Sequence, residues 1–201
     1  MGRKSTFGPE QQATNTSSKI VAALERLSEV FRVLLWDNAK QHGISPIQIQ
    51  VLTFLLHYPE EQRTITFLAA HFNMTKATIS DAVKSLEAKN YLIRKVTATD
   101  TRSHTLHLIK AGKALAKKVE CFAYPLQNTL SLTCSKEQSA LLEHLLQLIF
   151  KLNREGIITP QRMCLNCHFY TQKGGHYCNL VPCKLKAADL RVDCPEFQFP
   201  Q

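Results

Sequence analysis

Apolar residues recur at spacings of three and four through most of this chain, switch to strict alternation for one stretch, and then give way to cysteines. The segment KIVAALERLSEVFRVLLWDNAKQHG, following Ser18, puts Ile20, Leu24, Leu27, Val30, Phe31, Leu34 and Leu35 on one face. That spacing predicts an amphipathic helix ending near Gly43. SPIQIQVLTFLLHYP predicts a second, with Ser45 as cap, Pro46 in the first turn, Gln48 at the capping-box position and Pro59 past the end. TITFLAAHFN predicts a short helix after a β-like Thr64-Ile65. MTKATISDAVKSLEAKNY predicts another, capped by Thr75 and buried through Ile79, Ala82, Val83 and Leu86.

The period then changes to two. YLIRKVTATDTRSHTLHLI alternates around a polar turn at Thr99 to Ser103, the pattern of a β-hairpin. KAGKALAKKVECFAYPLQ returns to helix, with an interruption expected around Pro125. SKEQSALLEHLLQLIFKLNRE follows, with Ser135 as expected cap and Gln138 at the box position. Its leucines cover more than one face, which in a small protein points to a subunit interface. Residues 1–16 show no periodicity and are expected to be a mobile arm. The predicted organisation is therefore this arm, a helical body over 17–153 and a cysteine-rich tail over 154–201. The fold class is mainly α (α+β): helix, helix, turn, helix and hairpin is the order of a winged helix-turn-helix, with helical dimerisation elements around it.

Charge sharpens that picture. The 201 residues carry a formal net charge of +9, which suits a polyanionic partner. The excess is concentrated: between Lys76 and Lys118 ten basic residues face three acidic ones, a surplus of seven. No apolar run reaches the roughly 18 residues a membrane helix requires, so a cytoplasmic protein without membrane contact is expected. There is no nucleophile–base pairing, Gly-rich phosphate loop or carboxylate pair, so no enzyme is expected.

A helix N-terminus in the major groove offers backbone N–H groups to phosphate and short side chains to base edges. Thr75, Lys76, Thr78 and Ser80 are residues of that kind, and Lys84 follows one turn later. Lys95 and Lys89 can neutralise phosphates, and Arg102 at the hairpin tip can enter a minor groove. The expected partner is double-stranded DNA.

The stretch ISPIQIQVLTFLL…ITFLAAHFNMTKATISDAVKSLEAKNYLIRKVTATDTRSHTLHLIKAGKAL resembles the MarR family of bacterial transcription regulators. The matching features are the helix-turn-helix, SLEAKNYLIR at the end of the recognition helix, an Asp-x-Arg wing and the Gly-Lys helix start. The resemblance covers roughly residues 18–153. Two positions depart from the family pattern. Asp100-Thr101-Arg102 stands where Asp-Arg-Arg is usual, and Asn90 stands where Gly is usual, although Asn also tolerates a left-handed cap. The resemblance implies an intertwined homodimer of the first and last helices, acting as a sequence-specific repressor that a signal relieves. A metal, redox change or small-molecule effector is the expected signal. Phe31, Trp36 and Phe54 are candidates to line an effector pocket, with core packing the stronger expectation for each.

The tail asks for different chemistry. Cys164, Cys167, Cys178, Cys183 and Cys194 fall within 31 residues, and such thiols in a cytoplasmic chain are metal ligands or redox groups before they are disulfides. A C-x-x-C turn sets two sulfurs on one centre, and two later cysteines complete four. The favoured ligands are Cys164, Cys167, Cys178 and Cys194, with Cys183 as substitute. CLNCHFY…GGHYCNL…DCPEF resembles small cysteine-rich modules, some holding zinc and some a 4Fe–4S cluster. Both Zn2+, which can also take His168 or His176, and a 4Fe–4S cluster remain open. Cys121 is expected in the core and Cys134 beside a helix start, both structural. The runner-up function is a small metal- or Fe–S-bearing redox subunit whose helices dock a protein partner.

Overall fold

The computed structural model of the chain describes residues 5–96, 104–172 and 174–200. A short helix, α1 (Pro9–Thr14), occupies part of the segment expected to be a mobile arm. Six residues are too few to show a hydrophobic period, and Pro9 and Glu10 at its start are the signals that mark it. The Asn15 side chain accepts from Ser18 N at 3.1 Å and opens α2 (Thr16–His42). Gly43 ends it at φ +62°, a left-handed backbone that glycine adopts without strain.

The described residues divide into two compact units, the first within Met1–Thr64 and Ser80–Tyr124, the second within Ile65–Ile79 and Pro125–Gln201. In the first, α3 (Pro46–His57) carries the predicted capping box: Ser45 N donates to Gln48 Oε1 at 2.9 Å, and Gln48 N donates to Ser45 Oγ at 3.4 Å. The helix packs against α2 and against α6 (Lys110–Val119). β1 (Leu92–Val96) and β2 (His104–Leu108) pair antiparallel, with Leu92 opposite Leu108 and Lys95 opposite Thr105. Arg63 O accepts from Leu106 N at 2.8 Å, which places the expected β-like contact one residue before Thr64. Ile49, Leu52, Leu55, Leu86, Leu92 and Leu106 are sealed from water. Gly112 is required here because a Cβ would lie 1.8 Å from Tyr91 O.

Pro125 does follow an interruption. A 3-10 turn over Glu120–Ala123 separates α6 from α7 (Tyr124–Ser131), whose first turn holds Pro125 where a missing N–H leaves no bond unmade. Cys121 lies in that turn and is exposed, not in the core as expected, because the helical face it was assigned to ends at Val119.

The second unit contains α4 (Ile65–His71), α8 (Ser135–Arg154) and the tail. The cap of α8 is Cys134, with no side-chain bond, and not Ser135. Gln138 instead donates through Nε2 to Leu130 O and Thr133 O, at 3.0 and 2.9 Å, and so ties the preceding loop to the helix. Leu146 is buried against Met163 and Leu190, with Leu142 and Ile149 beside it. One face of α8 is therefore covered by the chain's own tail, while Leu141 and Leu148 stay 46% and 38% exposed. The tail folds as a 3-10 turn at Cys164–Asn166 and an antiparallel sheet in the order β3 (Tyr170–Thr171), β4 (His176–Cys178), β5 (Cys183–Leu185). Buried Asn153 and Asn166 join them: Asn166 Nδ2 donates to Asn153 Oδ1 at 2.8 Å and to Gln161 O at 2.9 Å.

Candidate nucleic-acid interface and the cysteine cavity

The turn after α4 closes through Phe72 N to Leu68 O and Met74 N to Ala69 O, at 2.9 and 2.8 Å. Asn73 sits there at φ +53°, a backbone that asparagine tolerates better than most residues. The next helix, α5 (Lys76–Ala88), starts where expected: Thr75 Oγ1 accepts from Thr78 N at 3.1 Å and shares a 2.8 Å hydrogen bond with the Thr78 hydroxyl. Thr75, Lys76 and Thr78 are exposed on the opening turn, Ser80 is half-buried, and Ile79 and Val83 are sealed beneath. Lys84 is exposed and 3.4 Å from Asp81, a surface pair that binds it only weakly. Asn90 follows α5 at φ +54°, the left-handed cap expected of it.

On the hairpin, Lys95 is exposed. Arg94 and Lys89 have partners within the first unit: Arg94 Nε donates to Glu87 at 3.2 Å, and Lys89 Nζ donates to Gly43 O at 2.6 Å. Arg102, with Asp100, Thr101 and the polar turn from Thr99 to Ser103, lies outside the described residues. Of the candidate pocket residues, Phe54 is buried and stacks on Tyr58 at 3.8 Å. Phe31 and Trp36 are 42% and 48% exposed on α2 and belong to no core among the described residues.

An exposed, hydroxyl- and lysine-bearing helix start after a tight turn, followed by a two-stranded wing, is the winged helix-turn-helix arrangement. Residues 42–103 match the sequence model of the MarR family. Solved structures share the fold. MepR of Staphylococcus aureus in its DNA-binding conformation is 22% identical with a TM-score of 0.60, covering 66% of this chain and 98% of MepR. The S. aureus MepR–DNA complex is also 22% identical, with a TM-score of 0.58 and coverage of 64% and 95%. The transcription regulator MarR from Oenococcus oeni PSU-1 is 20% identical, with a TM-score of 0.51 and coverage of 68% and 99%. No curated protein matches the chain.

The structure brings Cys164, Cys167, Cys178 and Cys194 to the wall of one cavity, with Phe169, Tyr170, Leu180, Leu185 and Glu196. The C-x-x-C turn is closed by Cys167 N donating to Cys164 O at 2.9 Å. Arg191 N donates to Cys164 Sγ at 3.2 Å, and Arg191 Nη1 reaches Cys194 Sγ at 3.9 Å. Burial pushes the Cys164 thiol up; the Arg191 N–H pulls it down, and Cys194, Cys167 and Cys178 add to the rise. Cys183 stands opposite Cys178 in the β4–β5 pair and is not among the lining residues. His176 is not among the lining residues: its Nδ1 contacts Tyr170 OH at 2.5 Å and its Nε2 lies 3.3 Å from Glu143 Oε1. His168 is exposed and packs edge-on against Phe169.

Arg162 carried no signal in the sequence, being one arginine in a polar loop, yet it joins this cavity to α4. Its Nε donates to Asp193 at 3.2 Å and its Nη2 to Cys194 O at 2.8 Å, while its own carbonyl accepts from Cys194 N at 2.9 Å. The guanidinium lies 5.7 Å from the Phe67 ring centre on α4 and 6.0 Å from that of Phe197. Beside it a mostly apolar cavity of about 460 Å3 is bounded by Phe67, His71, Pro160, Phe197 and Phe199. Burial holds the His71 imidazole below its usual pKa; Asp193 opposes that and Arg162 adds to it.

Proposed function

We propose that this chain is a double-stranded-DNA-binding transcription regulator of the MarR type, and not an enzyme, that works as a homodimer and represses until a signal reaches it. The exposed opening turn of α5 carries this reading: a capped helix start presents free backbone N–H groups, Lys76 and Thr78 where a major groove would meet them. Lys84 and Lys95 add phosphate contacts, and Arg102 supplies the minor-groove contact that a wing tip makes. The dimer is supported by α2, which leaves Ile20, Leu27, Val30, Phe31, Val33 and Trp36 between 41% and 53% exposed, more than a lone soluble helix face leaves to water. The cavity beside Phe67 and Phe197 has the size and lining of a small-molecule site and is where an apolar effector would sit.

The test is selection of duplexes from a random pool by the full chain, followed by binding measured over a salt series. The expected result is a pseudo-palindrome with half-sites about one helical turn apart. Lys76→Ala should weaken binding and reduce the salt slope by about one. No enriched sequence, together with affinity indifferent to salt, would leave the docking and redox subunit as the better reading.

A further inference from the structure

We infer that Cys164, Cys167, Cys178 and Cys194 hold a 4Fe–4S cluster, and that its presence is felt by α4 through Arg162. A single zinc ion draws each sulfur to about 2.3 Å and so brings the four within about 4 Å of one another. Among the described residues, no three Cys, His, Asp or Glu side chains are grouped to hold a metal ion. The four thiols nevertheless border one cavity. A cavity with four cysteines in its wall matches a cubane of iron and sulfide, which keeps its thiolate ligands at the corners of a larger body.

The surroundings fit the same group. Phe169, Tyr170, Leu180 and Leu185 give the cavity an aromatic and aliphatic wall. The Arg191 N–H already directed at Cys164 Sγ is the kind of hydrogen bond that stabilises a cluster-bound thiolate. Each thiol loses its proton to solvent as its bond to iron forms, leaving about −2 overall on a doubly charged cluster with four thiolates. Arg191 and Arg162 provide positive charge beside it.

The coupling to α4 rests on the DNA-binding reading above. Cys194 N donates to Arg162 O, the Arg162 guanidinium donates to Cys194 O, and that guanidinium packs on Phe67. Thr159 Oγ1 also donates to Ala70 O at 2.9 Å, fastening the same loop to α4. A cluster that fixes Cys194 therefore fixes Arg162 against the helix that leads into the DNA-reading turn. Without it, Cys194 keeps the bonds with Arg162, Arg191 and Phe197 described among these residues.

The test uses the full chain, purified without oxygen and analysed for iron, acid-labile sulfide and visible charge-transfer absorbance. About four irons and four sulfides per chain are expected. Cys164→Ser, Cys167→Ser, Cys178→Ser and Cys194→Ser should each lower that content severely, and Cys183→Ser should keep it. One zinc per chain, no metal, or a cluster that survives Cys194→Ser and is lost in Cys183→Ser would overturn the assignment. Circular dichroism on each variant separates loss of cluster from loss of fold. Cluster-loaded and chelator-stripped protein should then differ about tenfold or more in affinity for the selected duplex, and Arg162→Ala should bring the two together while keeping its iron. Equal affinities in the unaltered chain would overturn the coupling and leave the cluster. A full cluster on a chain that binds no DNA would remove the regulator reading, and the coupling with it, but not the cofactor.

Discussion

In the first unit Ile49, Leu52, Leu86 and Leu106 are all sealed from water, whereas among the described apolar residues of the tail only Met163 and Leu190 are buried, beneath Leu146 of α8. The first unit is a hydrophobic core of the ordinary kind, assembled from helices and a hairpin whose apolar faces meet. The tail has strands of two and three residues and relies on polar bonds: Asn153 with Asn166, Arg162 with Asp193 and Cys194, Arg191 with Cys164. So few buried apolar residues seldom hold a segment of that length without a disulfide or a metal. On the cluster assignment proposed above, the group bound by the cysteines would also hold the tail together.

That contrast can be broken from either side. Gly112→Ala should have the largest effect. The new Cβ meets Tyr91 O at 1.8 Å, where neither backbone can yield cheaply, and a loss of about 3 kcal/mol is expected. Denaturant unfolding should show it in the helical signal, with iron content unchanged. Asn166→Ala comes next. It removes the 2.8 Å bond to Asn153 and the 2.9 Å bond to Gln161 O, and leaves buried acceptors short of a donor at about 1–3 kcal/mol. Limited proteolysis should cut the tail first, which would reverse the Gly112→Ala pattern.

Acid should have the smallest effect and reach both units. His71, near Asp193 and Arg162, and His107, near Glu60, Lys95 and Arg63, are both held below the usual 6.5 chiefly by burial. As pH falls through that value the unfolded chain takes up protons that the folded one resists, so stability declines on the acid side of about 6.5. Midpoints measured from pH 7.5 down to 5.5 should fall, and His71→Gln should flatten only the share read from the tail. A flat profile in the unaltered chain would contradict the burial of both rings.

The helical elements were legible because each carried a period or a cap, as with Ile49, Leu52 and Leu55 of α3 behind Ser45 and Gln48. Where the signal was too short it misled or was missing. Helix α1 has no repeat to show, and Ser135 looked like a cap although the helix already begins there behind Cys134. Cys121 was assigned to a helical face that gives way to a 3-10 turn from Glu120, ahead of the interruption expected around Pro125. Thr75, Lys76, Thr78 and Ser80 lie within six positions, so their shared place at the start of α5 is read directly. The four cysteines share a cavity through the register that sets Cys178 opposite Cys183, and Arg162 reaches Phe67 across about 95 residues of sequence. No local pattern encodes contacts of that range.

Met163 is completely shielded, one residue before the first tail cysteine. A thioether in that position meets peroxide only when the segment around it swings open, and the sulfoxide that forms is too polar to be reburied comfortably. The residue therefore works as a clock. Its rate of oxygen uptake, read by mass spectrometry, counts how often the tail opens in the intact protein.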